Sequence, residues 1–370
     1  MGDAPMTVCV CGDVMLGRGV DQILPHPGDP TLRESYIHDA RAYVDLAEVA
    51  HGPLARPVDF SWPWGEALPV LDEVAPAARV INLETGVTRS DDFAPGKEVH
   101  YRMNPANLPC LTAARPDVCV LANNHVMDFG RDGLAETLDA LDGAGLRTAG
   151  AGADAAAARH PAVVPAEGGR RILVFSLGMP SSGIPRSWAA TAEHGGVALV
   201  AEPTTDAAAE LAARVAEMKQ PGDLAVASVH WGPNWGYGVA RAETAFAHTL
   251  LDGAVDLVHG HSAHHPRGLE AYRGKLMIHG CGDFIDDYEG ITGYEQYRDD
   301  LRLLFFVSLD PGTGRLHELR IVPFQAWQLR LRRPAQPDVQ WLRRLLDRIA
   351  DGFGPCVVSG PAGTLTLRPV

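Results

Sequence analysis

A chain of 370 residues, 46% apolar and 21% charged, has the composition of a soluble globular protein and enough length for one large core or two. Its formal net charge of −14 excludes nonspecific nucleic-acid binding as a main role. It does not exclude an anionic substrate, because a bound metal reverses the local sign. The cysteines (Cys9, Cys11, Cys110, Cys119, Cys281 and Cys356) include no C-x-x-C pair, which rules out a four-cysteine zinc site. Most lie in or beside apolar runs and read as reduced thiols of a cytoplasmic chain. The opening MGDAPMTVCVCGD enters a strand directly. It carries no basic n-region and no apolar stretch long enough for a signal peptide or a membrane anchor.

In chain order, residues 7–11 are a short β-branched strand that delivers Asp13. Residues 21–63 are irregular and proline-bearing, with a helix over 39–49, and read as an insertion or lid over the sheet edge. A helix over 64–74 follows Pro63, and a buried strand over 79–83 presents Glu84 and Thr85. Residues 89–100 are a polar loop, and a helix over 104–114 leads to the apolar strand 117–122. That strand ends in NNHVMDFG, after which RDGLAETLDALDGAG has helical spacing and a glycine stop. A short strand over 146–149, a helical alanine tract over 155–158 and a strand over 171–177 come next. The Ser/Pro/Gly loop 179–196, with Trp188, is expected to be mobile. An amphipathic helix over 205–219 precedes a strand over 224–229 that delivers His230, Trp231 and Gly232. A helix over 240–251 and a strand over 255–258 lead into HGHSAHHPRG.

Past this point strands over 269–272, 276–279, 301–309 and 317–323, with the turn signals RGK and PGTG, predict antiparallel pairing. Residues 283–300 are acidic and aromatic, and Asp286, Asp287 and Glu289 are expected in a solvated loop. A helix over 338–350 and a terminal strand close the chain. Nothing demands a second domain: residues 1–325 are expected to form one, with 326–370 as a helix and tail packed on it.

Five strands thus end in Asp13, Glu84, Asn124 with His125, His230, and the cluster from His259 to His265. Ligands bind at the carboxyl edge of open α/β sheets. Buried ionisable groups in such number are costly unless paired or bound to a cation. Imidazole and oxygen donors without thiolates suit one or two divalent metals, manganese, iron, zinc or cobalt, with Glu84 a candidate bridge.

GDVMLGR at 12–18, NLET at 82–85, ANNHVMDFG at 122–130, HWGPNWG at 230–236, GHSAHHPRGLE at 260–270 and GCGDF at 280–284 resemble the CapA family of poly-γ-glutamate capsule-synthesis proteins. The fold of that family resembles the calcineurin-like metallophosphoesterases. The resemblance implies a four-layer α/β/β/α sandwich with mixed sheets and a metal site at the strand ends. It also implies Asp13, Glu84, Asn124, His230, His261 and His264 as metal ligands, with His125 as general acid or transition-state donor and Asp128 setting its tautomer. The sequence departs from the phosphoesterase pattern in three places. Met15 stands where they keep a histidine, Glu84 replaces an aspartate, and the last motif is H-S-A-H.

Arg18, also a candidate catalytic residue, and Arg267 are expected to orient an anionic substrate, with a plain ion pair the alternative for Arg18, and Trp231 and Trp235 either wall the pocket or pack in the core. Asp283 is placed behind a histidine ligand or in a plain turn. The functional expectation is a soluble metal-dependent hydrolase that attacks a phosphoester or a γ-glutamyl or amide bond through a metal-bound water. Two alternatives stay open: an amide- or peptide-bond-forming enzyme using the same centre, and a non-catalytic scaffold for a polyanion. The partner expected is a small anionic or γ-glutamyl, peptide-like substrate, with homo-oligomerisation left open.

Overall fold

Alternation along the strands decides the architecture, because successive side chains face opposite ways. Val8, Val10, Val80, Val118 and Val120 share one apolar core with Ile172, Val174, Leu224, Val226 and Leu257. Their neighbours Cys9, Cys11, Ile81 and Cys119 face a second core instead, with Val20, Val44, Leu71 and Leu134 from helices. Leu173, Phe175, Ala225, Ala227 and Val258 face a third, with Val215, Phe246 and Leu250. Strands that are apolar on both faces need cover on both. The computed structural model, which describes residues 4–350 and 356–368, accordingly stacks two sheets face to face with helices outside each. This is the four-layer α/β/β/α sandwich that the sequence resemblance implies.

The larger sheet starts with β1 (Met6–Val14), β2 (Ala78–Leu83), β3 (Val118–Val120) and β4 (Arg147–Ala149), all parallel. The smaller sheet follows with β5 (Ala162–Pro165) antiparallel to β6 (Arg171–Gly178), then β7 (Leu224–His230) and β8 (Leu257–His261) parallel to it, then the hairpin β9 (Leu269–Tyr272) and β10 (Lys275–Ile278). The chain then returns to the larger sheet through β11 (Asp283–Ile285), parallel to β1, and the antiparallel pair β12 (Leu301–Leu309) and β13 (Leu316–Ala326). The short β14 (Leu331–Arg332) pairs with β13. The hairpin β15 (Cys356–Ser359) and β16 (Leu365–Arg368) widens that sheet where the sequence predicts one terminal strand. The Gln336–Ile349 helix drives Val339, Leu342 and Leu346 into the core between the sheets.

Several elements differ from the sequence expectation for identifiable reasons. The helix expected over 39–49 spans Arg41–His51, and the one expected from Trp64 starts at Ala67. Trp64 lies in the turns before it, buried, with its indole N–H donated to the Cys110 carbonyl at 2.8 Å. The helix expected over 104–114 breaks into a 3-10 turn (Pro105–Asn107) and a short helix (Leu108–Thr112). Pro109 has no N–H to bond the carbonyl four residues earlier. The 179–196 loop is tied down by buried Ile184 and Trp188, and by Val197 and Gly196 pairing with Ala151 and Gly152.

The largest correction concerns the acidic segment. Asp286, Asp287 and Glu289 are buried, not solvated, and each has a partner. Asp286 pairs with Arg302 at 2.6 Å, and Asp287 accepts from Arg18 and from the Gly19 N–H. Glu289 pairs with His51 and accepts from the Gln328 and Leu329 N–H groups. Among the described residues no helix is long and apolar enough to cross a membrane.

Candidate metal centre

The carboxyl ends of β1, β2 and β3 from one sheet meet those of β7 and β8 from the other. Register places the side chains: Asp13 lies opposite Asn82 and His230 opposite His261. The Asp13 Oδ1 accepts from the Asn82 amide at 2.7 Å, and its Oδ2 is buried without a hydrogen-bond partner. The same Asn82 amide donates to Glu84 Oε2 at 3.0 Å. His230 Nδ1 lies 2.8 Å from His261 Nδ1, and His230 Nε2 lies 3.0 Å from Asn124 Oδ1. Ligand-type atoms of Asp13, His230 and His261 lie within 4.8 Å of one another, and so do those of Asp13, His264 and Asp283. The carboxylate common to both groups is Asp13, not Glu84. Glu84 stands to one side, its Oε1 3.9 Å from His125 Nε2 and from His230 Nε2.

Asn123 and Asn124 divide the work of the turn after β3. Asn123 Oδ1 accepts from the His125 and Val126 N–H groups, and its amide donates to Asn82 and to the Leu83 carbonyl. That frees Asn124 to face His230. His259 ties the sheets together, with Nε2 2.8 Å from the Cys11 carbonyl and Nδ1 3.1 Å from Ser228. His265 Nε2 accepts from the Gly236 N–H at 3.0 Å.

Burial pushes the Asp13 carboxyl up to about 6, against a hydrogen bond with Glu84 that lowers it, and pushes Glu84 well above the carboxylate range, where Asp13 raises it further. Burial also holds His230 and His261 well below the imidazole range, so both are neutral with lone pairs available. Neutral imidazoles, crowded carboxylates and a carboxylate oxygen without a partner make a cluster able to hold a metal ion. The nearby thiols of Cys11 and Cys281 are pushed up by burial and stay protonated.

Above this cluster opens a cavity of about 330 Å³, lined by Arg18, Tyr43, Glu84, Lys97, Tyr101, Asn124, His125, Trp235, His264, Tyr288, Tyr294 and Asp299, among others. His125 stacks on Tyr101 at 3.9 Å, and its Nδ1 lies 2.6 Å from Asp128. Burial, partly offset by Asp128, lowers His125 to about 4. The ring is therefore unprotonated at neutral pH. Lys97 has no sequence signal, being a lone lysine in a polar loop. Its ammonium contacts Asp128 and the Asn124 carbonyl and lies 3.1 Å from His125 Nδ1.

Among the expected substrate contacts, Trp235 does line the cavity, stacked on Tyr294 at 3.9 Å. Arg18 lines it too, but its fork is taken up by Asp287 and Glu34, so it has no free charge to offer. Trp231 does not wall the pocket. It is 1% exposed in the core under the helices, with its indole N–H on the His279 carbonyl at 2.9 Å. Arg267 is likewise buried behind the site, facing Glu243 at 3.7 Å and donating to the Gly238 carbonyl. Trp231→Ala is accordingly expected to cost about 3–5 kcal/mol of stability and to leave KM unchanged, as denaturant melts and steady-state kinetics would show.

A family profile described as "Bacterial capsule synthesis protein PGA_cap" matches residues 7–288. The chain belongs to this family. Over 365 residues, 98% of this chain and 96% of its relative, it is 52% identical to a probable polyglutamine synthesis accessory protein of Mycobacterium tuberculosis (strain ATCC 25618 / H37Rv). It is 25% identical to the PGA biosynthesis protein CapA of Bacillus subtilis (strain 168), covering 85% of this chain and 70% of that one. The crystal structure of TT1561 of Thermus thermophilus covers 85% of this chain and 97% of that one at 11% identity, with a TM-score of 0.39, too low to transfer anything to this site. Within the capsule-synthesis family signature, every strand end that carries the cluster falls inside the matched residues.

Proposed function

We propose that this capsule-synthesis family protein is an accessory enzyme in the making of a glutamate- or glutamine-containing polymer, and that it hydrolyses a γ-glutamyl or amide bond. The relatives' names support the pathway. The chemistry is carried by one observation: Asp13, with an unpartnered buried oxygen, converges with neutral His230 and His261 beneath a cavity that His125 overlooks. Asp13, His230 and His261, with Asn124 and Glu84 beside them, would hold a divalent cation there, which would supply Lewis acidity.

The chain's own residues do the rest. Neutral His125 accepts the proton of the attacking water and passes it to the leaving nitrogen. Asp128 fixes the ring and stabilises the imidazolium as it forms. Tyr101 stacks on the ring, and Trp235 and Tyr294 wall the side of the cavity. Arg18 and Lys97, which line this cavity, are already paired with carboxylates, and it is the relatives' names that favour a γ-glutamyl acyl centre over a phosphoester.

The test is to strip the purified protein with chelator, reload it with manganese, zinc or cobalt, and assay γ-glutamyl amides beside an aryl phosphate. Metal-dependent release of the amine is the expected result. Turnover of the phosphate alone would move the reading to phosphoesters. A protein that takes up no metal and turns over neither substrate would be a scaffold.

A further inference from the structure

Resting on the hydrolase reading above, we propose that Asp299 sets specificity. Its carboxylate receives the free ammonium of an amino-terminal γ-glutamyl residue, so the enzyme removes glutamate from the amino end of a γ-linked chain.

Every charged group that lines the cavity has a partner except this one. Arg18 is held by Asp287 and Glu34, Lys97 and His125 by Asp128, and His264 by Asp283. Glu84 accepts from Asn82 beside the metal cluster. Asp299 is half-buried, lines the same cavity, and makes no hydrogen bond or ion pair with another described residue. The charges beside it in the chain turn elsewhere. Arg298 pairs with Asp300 and Asp338, and Arg302 bonds Asp286 at 2.6 Å. Burial raises the Asp299 carboxyl, against the pull of Arg302 and with the push of Asp283 and Asp300. A cation beside it relieves that strain of charge. The sequence leads to an anion gripped by arginines, whereas the unpaired charge in this cavity has the opposite sign.

The surroundings fit an ammonium. Asp299 stands where the main cavity meets a second chamber of about 220 Å³, and Tyr288 and Ile291 line both. Trp235 and Tyr294, stacked at 3.9 Å, line the main cavity with them. Aromatic faces attract cations, and a carboxylate among them adds a charge-assisted hydrogen bond. In a γ-linked glutamyl chain every interior nitrogen is an uncharged amide, and the amino-terminal residue alone carries an ammonium. A cavity of about 330 Å³ accommodates a residue of that size. Hydrolysis there joins the water oxygen to the γ-carbonyl carbon, breaks the bond from that carbon to nitrogen, and leaves the water proton on the released amine.

The full-length protein, stripped and reloaded with manganese, is tested on three anilides: γ-glutamyl, N-acetyl-γ-glutamyl and glutaryl. The last two lack the ammonium. In the wild type kcat/KM should favour the free amine about 10–100-fold over either. In Asp299→Asn, checked by thermal melting, that ratio should fall to about one. Damage to the fold would lower all three rates together and leave the ratio standing. A preference kept in the variant therefore overturns the proposal, and so does its absence in the wild type. If Asp299→Asn does not fold, Asp299→Ser is read in the same way. If no anilide is cleaved, the hydrolase reading falls. Calorimetric binding of the γ-glutamyl anilide against its N-acetyl form, in wild type and variant, then decides on Asp299 by the same ratio.

Discussion

Asp13→Asn should lower turnover about a thousandfold or more and at the same time make the metal-free protein more stable. Both effects come from one arrangement. Asp13 is the carboxylate shared by both donor groups, so its loss removes charge from the whole centre. Without a cation, that charge is a burden on the fold. Asp13 is 3% exposed, shares one Asn82 amide with Glu84 and faces Asp283, and its carboxyl is pushed up to about 6. A carboxyl whose folded pKa is raised binds its proton more tightly in the folded state. It therefore costs nothing below the ordinary carboxylate pKa, and the full penalty is present above the raised one. Melts of the metal-free wild type should fall as pH rises from about 4 to about 6. In Asp13→Asn this slope should flatten, because the asparagine oxygen still accepts from Asn82 and carries no charge. Adding metal should reverse the order, stabilising the wild type far more than the variant. If the variant proves less stable than the wild type in chelator at pH 7, the crowding of charge is not what shapes this pocket.

How much of this centre is legible in the sequence follows from which physics each residue obeys. Asp13, Glu84, Asn124 and His230 stand out because each ends or follows an apolar run, and such a run is visible one residue at a time. Parallel strands buried on both faces announce themselves by continuous hydrophobicity. The pairing of those ends across two sheets is in no local pattern, and comes through the family resemblance. Asp283 reads only as a neighbour of a histidine, since its approach depends on a three-residue strand finding β1. Asp286, Asp287 and Glu289 look like a solvated loop because acidic residues usually are solvated. What buries them is a set of partners from Arg18, His51, the 328–329 backbone and Arg302, all distant in sequence or on other elements. Trp231 is open to two readings. Adjacency to a ligand suggests a pocket wall, whereas the residue after His230 turns its ring under the helices instead. Lys97 gives no signal, as its role exists only through Asp128 and the Asn124 carbonyl.

His125→Gln should reduce kcat by about 10²–10⁴ while metal content and KM stay close to wild type. The separation follows from geometry. His125 belongs to neither of the donor groups built on Asp13, yet its Nε2 lies 3.9 Å from Glu84 at the floor of the cavity, and its Nδ1 is held by Asp128 at 2.6 Å. A group so placed acts on a proton. Because burial lowers it to about 4, the ring is already unprotonated at neutral pH and able to accept. The acidic limb of kcat/KM should therefore lie well below the ordinary imidazole value of about 6.5. Asp128→Asn should act in the same direction as His125→Gln. It removes the charge that stabilises the imidazolium, so kcat falls and the acidic limb moves lower still. A structural role alone would not move that limb. Were His125 instead a metal ligand, His125→Gln would lower metal content in step with turnover, and elemental analysis of the variant separates the two cases.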